Sequence, residues 1–117
     1  MGDYKYFTLD EFVCSETGEQ DMCPEFLKAL SHLRQICDFP FIITSGFRSK
    51  NHSAEKSKKT KTPGTHTLGI AADVACSGGE QRLALVKHAS AMGMSVGIAK
   101  TFVHVDIRKT PAMCWCY

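Results

Sequence analysis

The segment Phe102-Val103-His104-Val105-Asp106-Ile107-Arg108 is the tightest constraint on what this chain can become. Val103, Val105 and Ile107 fall at one parity, His104 and Asp106 at the other. Successive strand residues point to opposite faces, so this strand must stand between an apolar core and a surface lined by a histidine and an acid. A second segment, Ile70-Ala71-Ala72-Asp73-Val74-Ala75, is apolar throughout except for Asp73. It reads as a strand from Ala71 to Ala75, in which a lone ionised carboxylate is costly unless it is paired or bound to a metal.

The other elements can be placed around these two strands. Thr8-Leu9-Asp10-Glu11 has the form of a capping box, predicting a short helical turn that carries Phe12 and Val13 inward. Cys14 to Asp21 is polar, contains Gly18 and reads as a loop. Pro24 suits the first position of a helix running to about Cys37, with Phe26, Leu27, Leu30, Leu33 and Ile36 in one apolar stripe. Phe41-Ile42-Ile43, behind Pro40, predicts a buried strand that delivers Thr44 to Arg48 at its end. Ser49 to Thr65 is a polar excursion of 17 residues, long enough to favour a functional role. Ser77-Gly78-Gly79-Glu80 is a second capping box, opening a helix to about Met92 with Leu83, Val86 and Ala89 inward, and Gly93 stops it. Ser95 to Ile98 then pairs antiparallel with the strand that starts at Phe102, around the turn at Ala99-Lys100-Thr101. The order predicts one α+β domain over residues 1–117, a small, mainly antiparallel sheet with helices packed on one face.

Composition excludes several classes of function. Fourteen basic against twelve acidic residues leave a net charge of +2, too small to argue for a nucleic-acid binder. No apolar run approaches the ~20 residues of a membrane span. The opening MGDYKYFTLDEF carries acids and aromatics where an export signal carries a cationic and then an apolar stretch. The expectation is therefore a protein without a signal peptide, made in the cytoplasm. Six cysteines (Cys14, Cys23, Cys37, Cys76, Cys114 and Cys116) form no C-x-x-C. In a reducing compartment they read as structural thiols, with a Cys14–Cys23 clip or a cysteine-bound metal as alternatives.

Few polar residues stand where burial alone would not put them. His66 lies seven positions before Asp73, and His104 faces away from the valines. Two histidines and one aspartate on neighbouring strands make a three-ligand zinc set with a fourth position open to water, the arrangement of a catalytic site. Each residue taken singly has a plainer reading. A strand histidine can be a hydrogen-bonded core residue, and a buried aspartate can satisfy a turn or an arginine such as Arg48. Asp106, on the His104 face about 6.6–6.8 Å further on, can orient a ligand imidazole or serve as a base.

Ser45-Gly46-Phe47-Arg48, His66-x-x-Gly69-x-Ala71-x-Asp73 and Phe102-Val103-His104-Val105-Asp106 together resemble the zinc D-alanyl-D-alanine carboxypeptidases of the hedgehog/DD-peptidase fold. The likeness is to the short, single-domain relatives of phages and bacterial cell-wall enzymes. It runs from Phe7 to Trp115, including Phe7-Thr8-x-x-Glu11-Phe12 and the Pro-Ala-x-x-Trp ending. The resemblance implies that His66, Asp73 and His104 hold Zn²⁺ and that Arg48 faces the substrate or the developing oxyanion. The implied reaction is hydrolysis of peptide bonds in peptidoglycan stems by zinc-bound hydroxide, as a carboxypeptidase or an endopeptidase. The expected partner is a peptidoglycan peptide, with no nucleic acid and no membrane, and the protein is expected to be a monomer acting on the cell wall in phage lysis or as a virion component.

Three departures bear on activity. Thr101 stands where many relatives carry an acid as general base, Phe102 where others carry a histidine, and Gly64 where a serine is usual. Asp106 is then the first candidate for the base, with a residue of the Ser49–Thr65 loop, or no base, as alternatives. A non-catalytic module of the same fold, binding zinc and wall peptide, is the rival reading. Lys50, Lys56, Lys58, Lys59 and Lys61 make either a basic flap for anionic wall polymer or a solvated loop, with Glu55 the one acid among them. His52 reads as a surface residue, His32 and His88 as helix residues away from the site, and Trp115 and Tyr117 as residues closing the core or the cleft rim.

Overall fold

The computed structural model describes residues 6–58 and 63–117. Lys59 and Lys61 of the basic stretch lie outside the described residues. Five strands form one sheet in the order β1-β2-β4-β3-β5. They are β1 (Ile43–Ser45), β2 (Ala71–Ala75), β3 (Ser95–Ile98), β4 (Phe102–Asp106) and β5 (Cys114–Cys116). The first four pair antiparallel with their neighbours, and β5 runs parallel to β3, so the sheet is mixed. Helices α1 (Pro24–Cys37), α2 (Ser53–Lys56) and α3 (Gly79–Ala91) complete the α+β fold, with a 3₁₀ turn at Leu9–Phe12.

The alternation read from the sequence sorts the central strands. Val103 and Val105 of β4, Ala72 and Val74 of β2 and Val96 of β3 are buried with Phe26, Leu27, Leu30 and Leu33 of α1. Leu85 and Ala89 of α3 join the same core. The register sets Asp73 directly opposite His104 and Gly97 on the other side of it, so those three positions share the opposite face. The sheet thus separates a hydrocarbon core on one side from a polar face that carries Asp73 and the buried His104 and Asp106 on the other.

Several local expectations are corrected. The strand after Pro40 begins at Ile43 and is an edge strand, and Ile42 stands 67% exposed. Phe12 is buried as expected, but Val13 has left the 3₁₀ turn in an extended conformation and is exposed. In the first capping box the Glu11 carboxylate accepts from the Thr8 backbone N–H at 2.7 Å. The second box does not form, since α3 is capped at Gly78 with no side-chain bond. Its buried stripe is Leu85 and Ala89, with Leu83 exposed. Four consecutive apolar residues, Leu83 to Val86, leave the phase of that helix open in the sequence, and packing on α1 and the sheet selects Leu85. Ile36, at the end of the α1 stripe, is 40% exposed. The excursion after Ser49 contains α2, and β5 was not anticipated at all.

Candidate metal centre

The site is built on the polar face of β2 and β4. Asp73 and His104 sit on paired strands, and His66 enters from the turn before β2. Gly69 closes that turn with φ +74°, a left-handed conformation, and a Cβ there would meet the Asp21 carbonyl oxygen. Its own carbonyl accepts from Cys23 N–H at 2.8 Å, tying the turn to the start of α1. His66, Asp73 and His104 bring one ligand atom each within 4.8 Å of one another.

Hydrogen bonds fix which ring nitrogens face inward. His66 Nδ1 lies 2.8 Å from the Gly46 carbonyl oxygen. A carbonyl only accepts, so Nδ1 carries the proton and Nε2 turns its lone pair toward Asp73 Oδ1, 3.4 Å away. His104 Nε2 donates to Asp106 Oδ2 at 2.7 Å, leaving Nδ1 2.9 Å from Asp73 Oδ1. Asp106 is fully enclosed, and Arg108 holds it through Nη2 at 2.6 Å, Nε at 3.0 Å and its backbone N–H at 3.1 Å. The guanidinium lies over the Trp115 ring, 4.8 Å from its centre. Trp115 in turn packs 5.3 Å from the His104 ring and covers Gly97, where a Cβ would come within 2.6 Å of the indole.

The electrostatics follow from this enclosure. Burial works against a charge on Asp73, but the imidazoles of His104 and His66 outweigh it and hold its carboxyl down to about 2. Burial likewise opposes a charged His104, yet Asp106 and Asp73 raise its pKa. Asp106 lies well below the usual carboxylate range because hydrogen bonds from His104 and Arg108 overcome its burial. His104 is therefore held between two carboxylates. A bare Nδ1 lone pair 2.9 Å from an anionic oxygen is repulsive, so a cation belongs between them, either the ring's second proton or a metal ion. Two imidazoles with fixed tautomers, one carboxylate and an open side fit zinc of the catalytic type.

Above the trio lies a cleft of about 470 Å³ lined by Arg48, Glu55, Phe102, Trp115 and Tyr117 as well as the three residues themselves. Arg48 reaches it from the segment after β1, its Nη1 3.5 Å from Glu55 Oε2. Asp106 is not part of the lining, and Thr101 is exposed in the β3–β4 turn. Trp115 and Tyr117 are at the cleft. His52 caps α2 by accepting from Ala54 N–H at 3.0 Å, and His32 and His88 lie on α1 and α3. All six cysteines are free thiols, with Cys14 and Cys76 buried and Cys114 and Cys116 exposed. The sequence reading missed Arg108 as the partner of Asp106 and Trp115 as the cover of Gly97. Arg108 was legible in principle, since His104, Asp106 and Arg108 share one parity.

A family model described as Peptidase M15 matches residues 5–106. No curated protein matches the chain, and no solved structure does.

Proposed function

This chain belongs to the M15 peptidases, and we propose that it is a zinc-dependent hydrolase of peptide bonds in peptidoglycan stem peptides, with the hedgehog/DD-peptidase architecture. The observation that carries the reading is the convergence of His66 Nε2, Asp73 and His104 Nδ1 under an open cleft, with both tautomers set by acceptors behind the rings.

In this reading the three residues hold the ion, and Asp106 with Arg108 keeps the His104 ring in its ligating tautomer. Zinc there supplies a Lewis acid that polarises the scissile carbonyl and brings the pKa of water to about 7. Arg48 offers a permanently charged fork to a carboxylate of the peptide or to the oxyanion. Its partner in the resting cleft, Glu55, is a carboxylate, the chemistry expected of a ligand for that fork. Trp115 and Tyr117 wall one side of the cleft. The cleft continues past Gly64, Thr65 and Arg108 into a more apolar basin of about 880 Å³ with Leu68, Ile70 and Lys109. That basin gives room for further residues of the stem peptide, in a carboxypeptidase or an endopeptidase alike. The protein acts as a monomer on the cell wall, as a phage lytic or virion-associated enzyme.

Mass spectrometry of defined muropeptides incubated with zinc-loaded protein tests this, with His104→Ala as control. Loss of a terminal alanine, or an internal stem cut, that disappears in the variant is the expected result. Intact muropeptides from protein shown to hold zinc would replace the peptidase with a wall-peptide-binding module.

A further inference from the structure

Two carboxylates line the cleft among the described residues, Asp73 and Glu55. Asp73 belongs to the ligand trio. Asp106, the acid that strand parity favoured as a base, has no exposed surface and gives its oxygens to His104 and Arg108. Residues 59–62 read Lys-Thr-Lys-Thr and contribute no acid. A proton acceptor from the protein, other than a ligand, therefore has one source at this cleft among the described residues.

Glu55 is held in place. It sits on α2, whose first turn is capped by His52 and clamped by Glu16, which accepts from Ser53 N–H at 3.0 Å and from its hydroxyl at 2.7 Å. Glu55 Oε1 lies 3.3 Å from Lys58 Nζ, and its side chain is only 9% exposed. Its other oxygen faces Arg48, whose backbone N–H donates to the His66 carbonyl at 3.2 Å. The flap acid is thus tied to the segment that carries a ligand. Burial opposes its charge, but Lys58, Thr67 and Arg48 outweigh that and lower its pKa, so it stands as an ionised carboxylate.

Resting on the peptidase reading, we propose that Glu55, delivered by the flap helix, is the general base of the reaction. The oxygen of the attacking water bonds to the scissile carbonyl carbon while one of its protons passes to a Glu55 oxygen. The C–N bond then breaks, its electron pair stays on nitrogen, and Glu55 returns the proton to the leaving amine. Water and an amide become a carboxylic acid and an amine, with no change of oxidation state. An oxygen of the arriving peptide replaces Glu55 on Arg48, which frees the carboxylate for this work. The departure at Thr101 is met by an acid from a different element.

The experiment compares wild type, Glu55→Gln and Glu55→Asp, all zinc-loaded, on one muropeptide that the wild type cleaves. Glu55→Gln is expected to lower kcat by about 10² to 10⁴, the usual worth of a positioned base. Zinc content by elemental analysis should stay at the wild-type value, and peptide affinity by calorimetry should not fall, because Glu55 holds neither and only competes with the peptide for Arg48. Glu55→Asp, which keeps the charge one carbon further back, should retain more activity than Glu55→Gln. A Glu55→Gln rate within threefold of wild type, or a rate loss matched by loss of zinc or of peptide binding, overturns the assignment and leaves the peptidase reading standing. A wild type that binds zinc and peptide but cleaves no stem peptide overturns both.

Discussion

Replacing Arg108 by alanine tests how the site is held from behind. Asp106 is fully enclosed and has two cationic or donor partners, Arg108 and the His104 ring. Removing one member of a buried charged pair costs about 3–5 kcal/mol, because the remaining charge is left without compensation. Here His104 stays 2.7 Å from the carboxylate and can carry a full positive charge, so the lower end, about 3 kcal/mol, is appropriate. For a chain of this length each kcal/mol moves the midpoint of thermal unfolding by roughly 4 °C, giving a drop of about 12 °C in metal-free protein. A second effect follows from the same geometry. With Arg108 gone, Asp106 leans on His104, and the proton that ring then holds competes with zinc at Nδ1. Loss of an outer partner of this kind weakens metal binding by about 10- to 100-fold. Asp106→Asn separates the two effects: the amide oxygen still accepts from Nε2, and Arg108, partly exposed, can turn to water. Its midpoint should therefore fall less than that of Arg108→Ala, while zinc binding still weakens. Calorimetry and zinc competition against a chromogenic chelator measure both. An Arg108→Ala midpoint within 3 °C of wild type, with unchanged zinc affinity, would refute the view that Asp106 depends on this arginine.

Other predictions rest on single positions. Gly69→Ala should destabilise the fold by about 3 kcal/mol or more in urea unfolding, combining a left-handed backbone with a clash on the Asp21 carbonyl; a loss under 1 kcal/mol would mean that the turn is free to move. Gly97→Ala should displace Trp115, the chain's single tryptophan, and shift its fluorescence to the red, whereas an unchanged spectrum would show that the indole does not rest on Gly97 in solution. Alkylation of native protein should modify Cys114 and Cys116 first and spare Cys14 and Cys76, with Cys37 slow because burial pushes its thiol up to about 11. Equal labelling of Cys76, read by peptide mass spectrometry, would contradict that order.

What the sequence revealed and what it concealed follow one physical rule. Where a periodic pattern had a single reading, the element was legible. Strict alternation from Phe102 to Asp106 left one orientation for β4, and the lone acid in Ala71–Ala75 had to share the polar face with His104, as their register confirms. The α1 stripe was equally unambiguous up to Leu33. Where the pattern was degenerate, tertiary packing decided. Leu83 to Val86 offer two phases for α3, and Phe41 to Ile43 offer a strand that in the fold starts only at its last residue. β5 has three residues and no usable period, and its place beside β3 depends on a close approach that Gly97 permits and no local signal announces. The candidate site divides along the same line. Asp73 and His104 of its candidate trio lie on regular strands, within reach of parity arguments, and His66 lies on the turn before the first of them. Glu55 belongs to a lysine-rich excursion whose composition says only that it is solvated, and its position at the cleft follows from its ion pair with Arg48 and from the hold of the distant Glu16 on Ser53, at the start of the same helix. Sequence patterns report burial, and Glu55 is placed by ion pairs, so composition alone could not single it out as an acid lining the cleft of the candidate site.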